Sequence, residues 1–344
     1  MTVPASDGHA HGKGGTFAEG HLPDFDNIPA VAGMPHGCAW NVWGKGDELG
    51  TLNLLTPEVV ARAAQENICT GDRVQIDWGL DSVDVPANQR KHFHHEIIDL
   101  KKKLGVYATD DEVHLNTQTS SQWDGFNHFA HQSTAMYYGG VKHQDLHSGA
   151  INKADRNSMH QWCLNGGIAG RGVLVDWVQW WESTKSADEP IPPANSSYPI
   201  PLSQIKEVLA WQRTDLRTGD ILLLRTGVVR WFEQASDQEK VEGMIENDNF
   251  PGIEATEETK RWIWDSHFAA VGSDNMSFEF GPHGDLWLHE WILPMYGCPI
   301  GELFDLERLS EACKKHHRYT FFLTSAPLRV KGGIASSPNA ICIF

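Results

Sequence analysis

The stretch Ile168-Ala-Gly-Arg-Gly-Val-Leu-Val-Asp176 is an apolar run punctuated by glycine, and it predicts a β-strand that is buried on both faces. A second run of the same kind, Ile221-Leu-Leu-Leu-Arg-Thr-Gly227, follows it. Between the two, Ser203 is predicted to cap a helix over residues 204–213. Buried strands separated by helices indicate a mixed α/β protein, with helices flanking a mixed sheet.

The same alternation extends in both directions along the chain. Thr56, followed by Pro57, is the expected start of a helix that continues through Asn67. Residues 72–78 alternate apolar and polar side chains, as in a half-buried strand. Further elements are predicted as a helix from 256 to 264, a strand at 269–274, a helix at 303–317 and strands at 319–324 and 340–344. No internal repeat or linker is discernible, so residues 36–344 are predicted to form a single α/β domain.

Residues 1–35 contain few large apolar side chains and many Gly, His, Pro and Asp residues, so they are predicted to form an irregular N-terminal arm. His9 and His11 in this arm are able to chelate a metal, but no third ligand lies nearby in the sequence. They are therefore interpreted as solvated residues.

The composition limits the class of function. Hydrophobic residues make up 40% of the 344 residues, which is enough to bury a large core. Asp and Glu number 45 against 28 Lys and Arg, and the net charge of −17 disfavours nucleic acid and anionic membranes as partners. The six cysteines form no CxxC pair, and no apolar stretch has the length of a signal peptide core or a membrane span. These features predict a cytoplasmic protein with reduced thiols.

The stretch Gln118-Thr-Ser-Ser-Gln-Trp-Asp-Gly-Phe-Asn-His128, continuing to His131, is the expected functional site. It concentrates amides, hydroxyls, a carboxylate and imidazoles around a few aromatic rings, a mixture that neither an amphipathic helix nor an alternating strand requires. The alternative is a polar surface loop with solvated histidines.

Two further segments carry residues of the same chemistry. His289 lies within Leu-Trp-Leu-His-Glu-Trp-Ile-Leu and Glu302 within Cys-Pro-Ile-Gly-Glu-Leu-Phe. Together with Asp124 they provide two carboxylates and an imidazole, which suit a divalent ion because they supply the lone pairs that it needs. Sequence separation alone does not show that the three side chains meet.

From about residue 40 to the C-terminus, several segments taken in order resemble the cyclase family, the metal-dependent hydrolases that include bacterial kynurenine formamidase and isatin hydrolase. The segments are WGKGDELGTLNLLTPE, SSQWDGFNHFAH, GRGVLVD, GDILLLRTG, VGSDNMSFE, HEWILPMYGCPIGELFDLERL and APLRVKGGIASSP. The resemblance implies a swivelling β/β/α fold and hydrolytic opening of an amide or cyclic amide by a metal-bound water. It also implies oligomers built from dimers, so a homodimer or homotetramer is expected.

The signature of that family, His-x-Gly-Thr-His-x-Asp-x-Pro-x-His, falls on residues 118–128. Asp124 and His128 match it, whereas Gln118 and Gln122 replace the two histidines that ligate metal in the family. The distal metal-binding His and Glu of the family fall on His289 and Glu302.

These replacements change the expected metal chemistry. An amide oxygen is a weaker donor than an imidazole nitrogen, so one ion is expected instead of two, and manganese, magnesium or calcium is favoured over zinc. Asp124, His289 and Glu302 would hold that ion, with Gln122 at its margin. A site without metal, in which Gln118 and Gln122 bind the carbonyl or hydroxyl groups of the substrate, remains an open alternative.

His128 is the predicted acid–base, because an imidazole with an ordinary pKa of about 6.5 both accepts and returns a proton near neutral pH. Trp123 and Phe126 are predicted to wall an apolar substrate pocket, while Phe129 is assigned to the core. Asp274 and Glu279 are candidate supporting or substrate-contacting carboxylates, and a turn is the alternative role for Asp274. No phosphate-binding glycine loop is present, which disfavours nucleotide use.

Three functions are consistent with this pattern. The first is a hydrolase that opens a cyclic amide, a lactone or a related aromatic or polyketide-like small molecule, with one divalent ion. The second is a metal-independent lyase, dehydratase or cyclase in which His128 transfers the proton. The third is a catalytically lapsed binding protein, against which the retention of four separated polar residues argues, since burying them has a cost.

Overall fold

The computed structural model of the chain describes residues 22–147, 155–246 and 249–344. Its strands are β1 (Arg73–Gln75), β2 (His94–Asp99), β3 (Thr109–His114), β4 (Gln122–Asp124), β5 (Met136–Tyr137), β6 (Val141–Lys142), β7 (Ile168–Asp176), β8 (Tyr198–Ile200), β9 (Ile221–Arg225), β10 (Pro251–Ile253), β11 (Ala270–Ser273), β12 (Ile300–Glu302), β13 (Thr320–Ser325), β14 (Ala335–Ser336) and β15 (Ala340–Ile343). Its α-helices are α1 (Pro57–Asn67), α2 (Leu100–Leu104), α3 (His143–Leu146), α4 (Met159–Leu164), α5 (Trp177–Thr184), α6 (Leu202–Trp211), α7 (Val228–Gln234), α8 (Asp237–Val241), α9 (Glu257–Asp265), α10 (Leu288–Trp291) and α11 (Glu307–His316).

A nine-stranded mixed sheet organises the fold, with the strand order β1-β15-β13-β7-β9-β11-β12-β4-β14. The four central strands β7, β9, β11 and β12 are parallel, and the strands on either side of them pair antiparallel. Strand β9 is buried throughout and β7 nearly so. The predicted mixed α/β fold is therefore confirmed. The strand predicted at 168–176 is β7, and the one predicted at 221–227 is β9, which ends at Arg225.

The helix starts follow from local chemistry. The Oγ1 atom of Thr56 accepts a hydrogen bond from the backbone N–H of Val59, with Pro57 in the first turn, as the sequence predicts. Helix α6 instead begins two residues earlier than predicted, at Leu202, and Ser203 lies inside its first turn. Leu202 is buried, so packing draws it into the helix, and Pro201 precedes it at no cost because a helix start leaves N–H groups unpaired.

The predicted N-terminal arm is described from residue 22 onward, and His9 and His11 lie outside the described residues. Phe25 is buried, and its backbone N–H donates to Asp265 Oδ1 at 2.6 Å. The indole of Trp264 donates to the carbonyl oxygen of Pro23 at 2.8 Å. This part of the arm thus packs against helix α9.

The sequence also predicts reduced thiols and no membrane-spanning segment. All six cysteines are free, and four of them are buried, as expected for a protein without a disulfide framework. Among the helices of the described ranges, none has the length and apolar character needed to cross a lipid bilayer.

A buried ion-pair network fixes the ends of the central strands. Asp176 ends β7 and Arg225 ends β9, and the two are register partners in the parallel pair. Arg225 Nη1 donates to Asp176 Oδ1 at 2.8 Å, while its Nε and Nη2 donate to the two carboxylate oxygens of Glu307 at 2.8 and 2.6 Å. The bidentate contact to Glu307 ties the sheet to the start of helix α11.

Replacing Arg225 with methionine is expected to lower the free energy of unfolding by about 3–5 kcal/mol, because Asp176 would remain buried without its countercharge. Urea unfolding of the two proteins measures the difference. Arg230→Met is the matched control, since Arg230 pairs with Glu182 at the surface and such pairs contribute about 0–1 kcal/mol. Equal, small losses in both variants would show that the network is not stabilising.

Candidate active site

The pairing of β4 with β12 brings the first polar side chains together. In this antiparallel register Glu302 lies opposite Gln122, and Ile300 lies opposite Asp124. Residues that face each other across a ladder point to the same side of the sheet, and successive residues point to opposite sides. Gln122, Asp124 and Glu302 therefore share one face, whereas Trp123 points to the other.

His289 completes this group from helix α10. Its Nε2 atom lies 3.0 Å from Glu302 Oε1, and its Nδ1 atom lies 2.9 Å from both carboxylate oxygens of Glu279. The backbone N–H of His289 also donates to Glu279 Oε1, at 3.2 Å. Glu279 thus fixes the orientation of the imidazole, as carboxylates commonly do for a histidine that binds metal. One ligand atom from each of Asp124, His289 and Glu302 lies within 4.8 Å of the others, and all three residues are buried.

The charges of this cluster are strongly coupled. Burial by itself would lower the pKa of His289, but the carboxylates of Glu279 and Glu302 outweigh it and raise that pKa well above its ordinary value. Burial and the nearby Asp124 carboxylate raise the pKa of Glu302 to about 7, against the opposing effect of His289. Burial would also raise the pKa of Glu279, yet the charge and hydrogen bonds of His289 hold it at about 2.

The donor set fits one divalent ion. The contact between His289 Nε2 and Glu302 Oε1 needs a proton between the two atoms, and a cation bound there would take the place of that proton. Two buried oxygens nearby, Asp124 Oδ2 and Gln122 Oε1, accept no hydrogen bond within the described residues. Leaving buried oxygens unpaired is costly, and a cation held by the cluster would satisfy the Asp124 oxygen. The three clustered residues offer two carboxylates and one imidazole, donors that divalent ions accept in proteins.

Gln118 and His128 lie beside this group. Gln118 Nε2 donates to Asp124 Oδ1 at 2.7 Å and lies 3.1 Å from His128 Nδ1. His128 Nε2 lies 3.6 Å from Asp124 Oδ2. Burial lowers the pKa of His128, with the Asp124 carboxylate opposing the shift. The imidazole is therefore neutral at pH 7 and able to accept a proton.

The structure thus brings together six residues that the sequence singles out: Gln118, Gln122, Asp124, His128, His289 and Glu302. Gln122 contributes by donating from Nε2 to Glu302 Oε2 at 2.6 Å. Their chemical roles remain predictions.

Trp123 and Phe126 are not placed at the site, which corrects the prediction that they wall a pocket. Trp123 lies on the opposite face of β4, where its Nε1 donates to Ser325 Oγ at 2.9 Å and its ring packs against Phe304. Phe126 is fully buried, with Tyr138 and Trp162 as its aromatic neighbours. Trp123 points away from the site because successive strand residues point to opposite faces. Phe126 does not line a pocket because its ring is packed in the core.

Phe129, which the sequence assigns to the core, packs against the core and also borders the site. It is half-buried, contacts the His289 ring edge-to-face at a centroid distance of 5.6 Å and stacks on Trp287 at 5.5 Å. The Trp287 ring in turn lies 4.3 Å from that of His283. The position of Phe129 immediately after His128 is the signal that the sequence offers. These rings form an aromatic wall beside the candidate metal ligands.

The two carboxylates of VGSDNMSFE have different roles. Glu279 supports His289, as described above. Asp274 accepts hydrogen bonds from the backbone N–H groups of Thr226 and Gly227 and from the Thr226 hydroxyl. It stabilises the turn that follows β9, which was the alternative considered for it.

Comparison with known proteins identifies the family. The family model described as "Putative cyclase" matches residues 76–280, and the chain belongs to this cyclase family. The crystal structure of a novel cyclase is 28% identical, covers 89% of this chain and 99% of its own, and has a TM-score of 0.78. Isatin hydrolase A from Labrenzia aggregata, bound to benzyl benzoate, is 15% identical and covers 83% of this chain and 97% of its own, with a TM-score of 0.55.

Isatin hydrolase A from Ralstonia solanacearum is also 15% identical, covers 84% of this chain and 96% of its own, and has a TM-score of 0.55. No curated protein sequence matches the chain. The resemblance drawn from the sequence motifs, and the cyclase fold that it implies, are therefore confirmed. At 15% identity the two isatin hydrolases share the fold with this chain, and their substrate is a property of those proteins.

Proposed function

We propose that the chain is a hydrolase that opens a cyclic amide or a lactone, with one divalent ion held by Asp124, His289 and Glu302. The observation that carries the proposal is the convergence of these three residues, from separate parts of the chain, on positions within 4.8 Å of one another. His128, whose Nε2 lies 3.6 Å from Asp124 Oδ2, stands beside them.

A divalent ion bound among these residues would polarise a carbonyl group and lower the pKa of a coordinated water. The chain itself holds the donors in place. Glu279 orients the His289 ring through two contacts of 2.9 Å, and Gln118 holds one oxygen of Asp124. The remaining oxygen of Asp124 is left available.

His128 transfers the proton in this proposal. Its imidazole is neutral at pH 7 and half-buried, so it accepts a proton from the attacking water and returns it to the leaving nitrogen or oxygen as the ring opens. The Asp124 carboxylate beside it stabilises the protonated imidazole between these two steps. The aromatic wall of Phe129 and Trp287 supports a planar, ring-bearing substrate.

A metal-independent lyase or cyclase is the second candidate, and one observation favours it. Glu302 is already satisfied by protein groups, because Gln122 Nε2 donates to one of its oxygens and His289 Nε2 contacts the other. In that case His128 would take a proton from the substrate, and the glutamine amides would polarise its carbonyl.

A substrate panel with and without metal separates the two. Protein prepared without chelator is assayed with lactones, cyclic imides, isatin and N-formyl aromatic amines, then stripped with EDTA and reloaded with Mn²⁺. The proposal expects ring opening that is lost on stripping and restored by Mn²⁺. Undiminished turnover after stripping would favour the second candidate, and no turnover of any member in any state would contradict the hydrolase assignment.

A further inference from the structure

Arg90 lies beside the candidate site without a carboxylate partner. Its Nη1 atom donates to the backbone carbonyl oxygen of Gln118 at 2.5 Å, and its side chain forms no ion pair with any carboxylate of the described ranges. A guanidinium group carries five N–H donors in a planar fork. One is used by Gln118, so the half-buried side chain retains four for a ligand.

Two contacts fix the position of Arg90 relative to the reacting groups. Thr119 Oγ1 donates to the carbonyl oxygen of Lys91 at 3.1 Å, which joins this loop to the segment leading into β4. Gln118, whose carbonyl binds Arg90, reaches both Asp124 and His128 with its own amide nitrogen. A single residue, Gln118, therefore links Arg90 to His128, the predicted proton-transfer group.

The electrostatics agree with this placement. Burial has the largest effect on the pKa of both His128 and Glu302, lowering the first and raising the second, and the charge of Arg90 acts to lower both. The positive charge of Arg90 therefore acts on both His128 and Glu302. The buried carboxylates Asp124, Glu279 and Glu302 would otherwise repel a negatively charged substrate.

We propose that Arg90 binds a carboxylate group of the substrate, so that the substrate is a lactone or cyclic amide that carries a carboxylate. The inference rests on the proposed function, and it narrows the substrate class of the same site. A guanidinium fork matches a carboxylate with two parallel hydrogen bonds. Such a contact orients the ring, with its carbonyl towards the Asp124, His289 and Glu302 cluster.

A pair of substrates that differ in charge but hardly in shape tests the proposal: phthalide-5-carboxylate and phthalide-5-carboxamide. Arg90→Gln is expected to lower kcat/KM for the carboxylate by about 10- to 100-fold, mainly through KM, the range typical of a hydrogen-bonded charge. The carboxamide should lose less, about 2- to 10-fold, because a hydrogen bond to a neutral group contributes about 0.5–1.5 kcal/mol of net free energy. Arg90→Lys should fall between the two, since lysine keeps the charge but not the fork.

Lys91→Gln is the matched control, because it removes the neighbouring exposed cation and should leave the preference for the carboxylate intact. A merely structural Arg90, acting through the Gln118 carbonyl, would lower kcat/KM equally for both substrates. That outcome overturns the inference.

Calorimetric binding of benzoate and benzamide, which needs no turnover, separates failure of the inference from failure of the proposed function. Tighter binding of benzoate that depends on Arg90, in a protein that opens neither a phthalide nor any member of the substrate panel above, supports the anion site and contradicts the hydrolase. Opening of both phthalides with no preference for the carboxylate supports the hydrolase and overturns the anion site.

Discussion

Replacing His289 with alanine is expected to abolish binding of the proposed divalent ion and to lower kcat/KM by about 1,000-fold or more, because a Lewis acid supplies several kcal/mol of transition-state stabilisation. His289 provides the nitrogen donor of the cluster, and its Nε2 lies 3.0 Å from Glu302 Oε1. Its loss would leave Glu279 and Glu302 as buried carboxylates without the imidazole that lies between them. Metal content by mass spectrometry, together with steady-state kinetics, measures both effects.

His316→Ala is the control for this variant. His316 is also an imidazole in contact with a carboxylate, since its Nε2 lies 2.9 Å from Asp72 Oδ2, but it stacks on Phe344 near the opposite edge of the sheet. It should keep full metal content and activity. Glu279→Gln should give an intermediate result, weakening metal binding by about 10- to 100-fold, because it removes the carboxylate that orients His289. A His289→Ala protein that folds and retains both the ion and turnover would refute the ligand assignment.

Replacing His128 with alanine is expected to lower kcat by about 100- to 10,000-fold, the range for loss of a general acid–base, while Mn²⁺ binding stays unchanged. The imidazole lies beside Asp124 without belonging to the three-ligand cluster. Parallel measurements of kcat and of Mn²⁺ affinity distinguish a proton-transfer group from a ligand.

His131→Ala serves as the comparison for His128. His131 follows three residues later and is buried, and its Nδ1 lies 3.0 Å from the Thr134 hydroxyl. Its replacement should affect kcat little. Equal losses in the two variants, or loss of Mn²⁺ from His128→Ala, would contradict the assigned role.

The sequence predicted three of the four central strands, β7, β9 and β11, and the starts of helices α1 and α9, because their determinants are local. A strand buried on both faces is mostly apolar, as residues 168–176 and 221–225 are apart from Arg171, Asp176 and Arg225. The capping of helix α1 by Thr56 also needs only neighbouring residues. The prediction that Ser203 caps helix α6 was wrong. The burial of Leu202, which depends on tertiary packing, extended the helix past the residue that local chemistry favours as a cap.

Local sequence patterns predict only part of the candidate active site. The family motif singles out Asp124 and Glu302, but their meeting depends on the pairing of β4 with β12, which no local pattern specifies. The two strands have three residues each, too few to reveal from the sequence which side Trp123 faces. Arg90 lies in a polar loop without periodicity, so only the folded chain shows its contact with Gln118.

Binding of Mn²⁺ to the metal-stripped protein, followed by electron paramagnetic resonance, tests the central claim most directly. The account predicts one tightly bound ion per chain in the wild type and its loss in the double variant Asp124→Asn, Glu302→Gln. Absence of specific binding to the wild type, or an ion retained by the double variant, would contradict it.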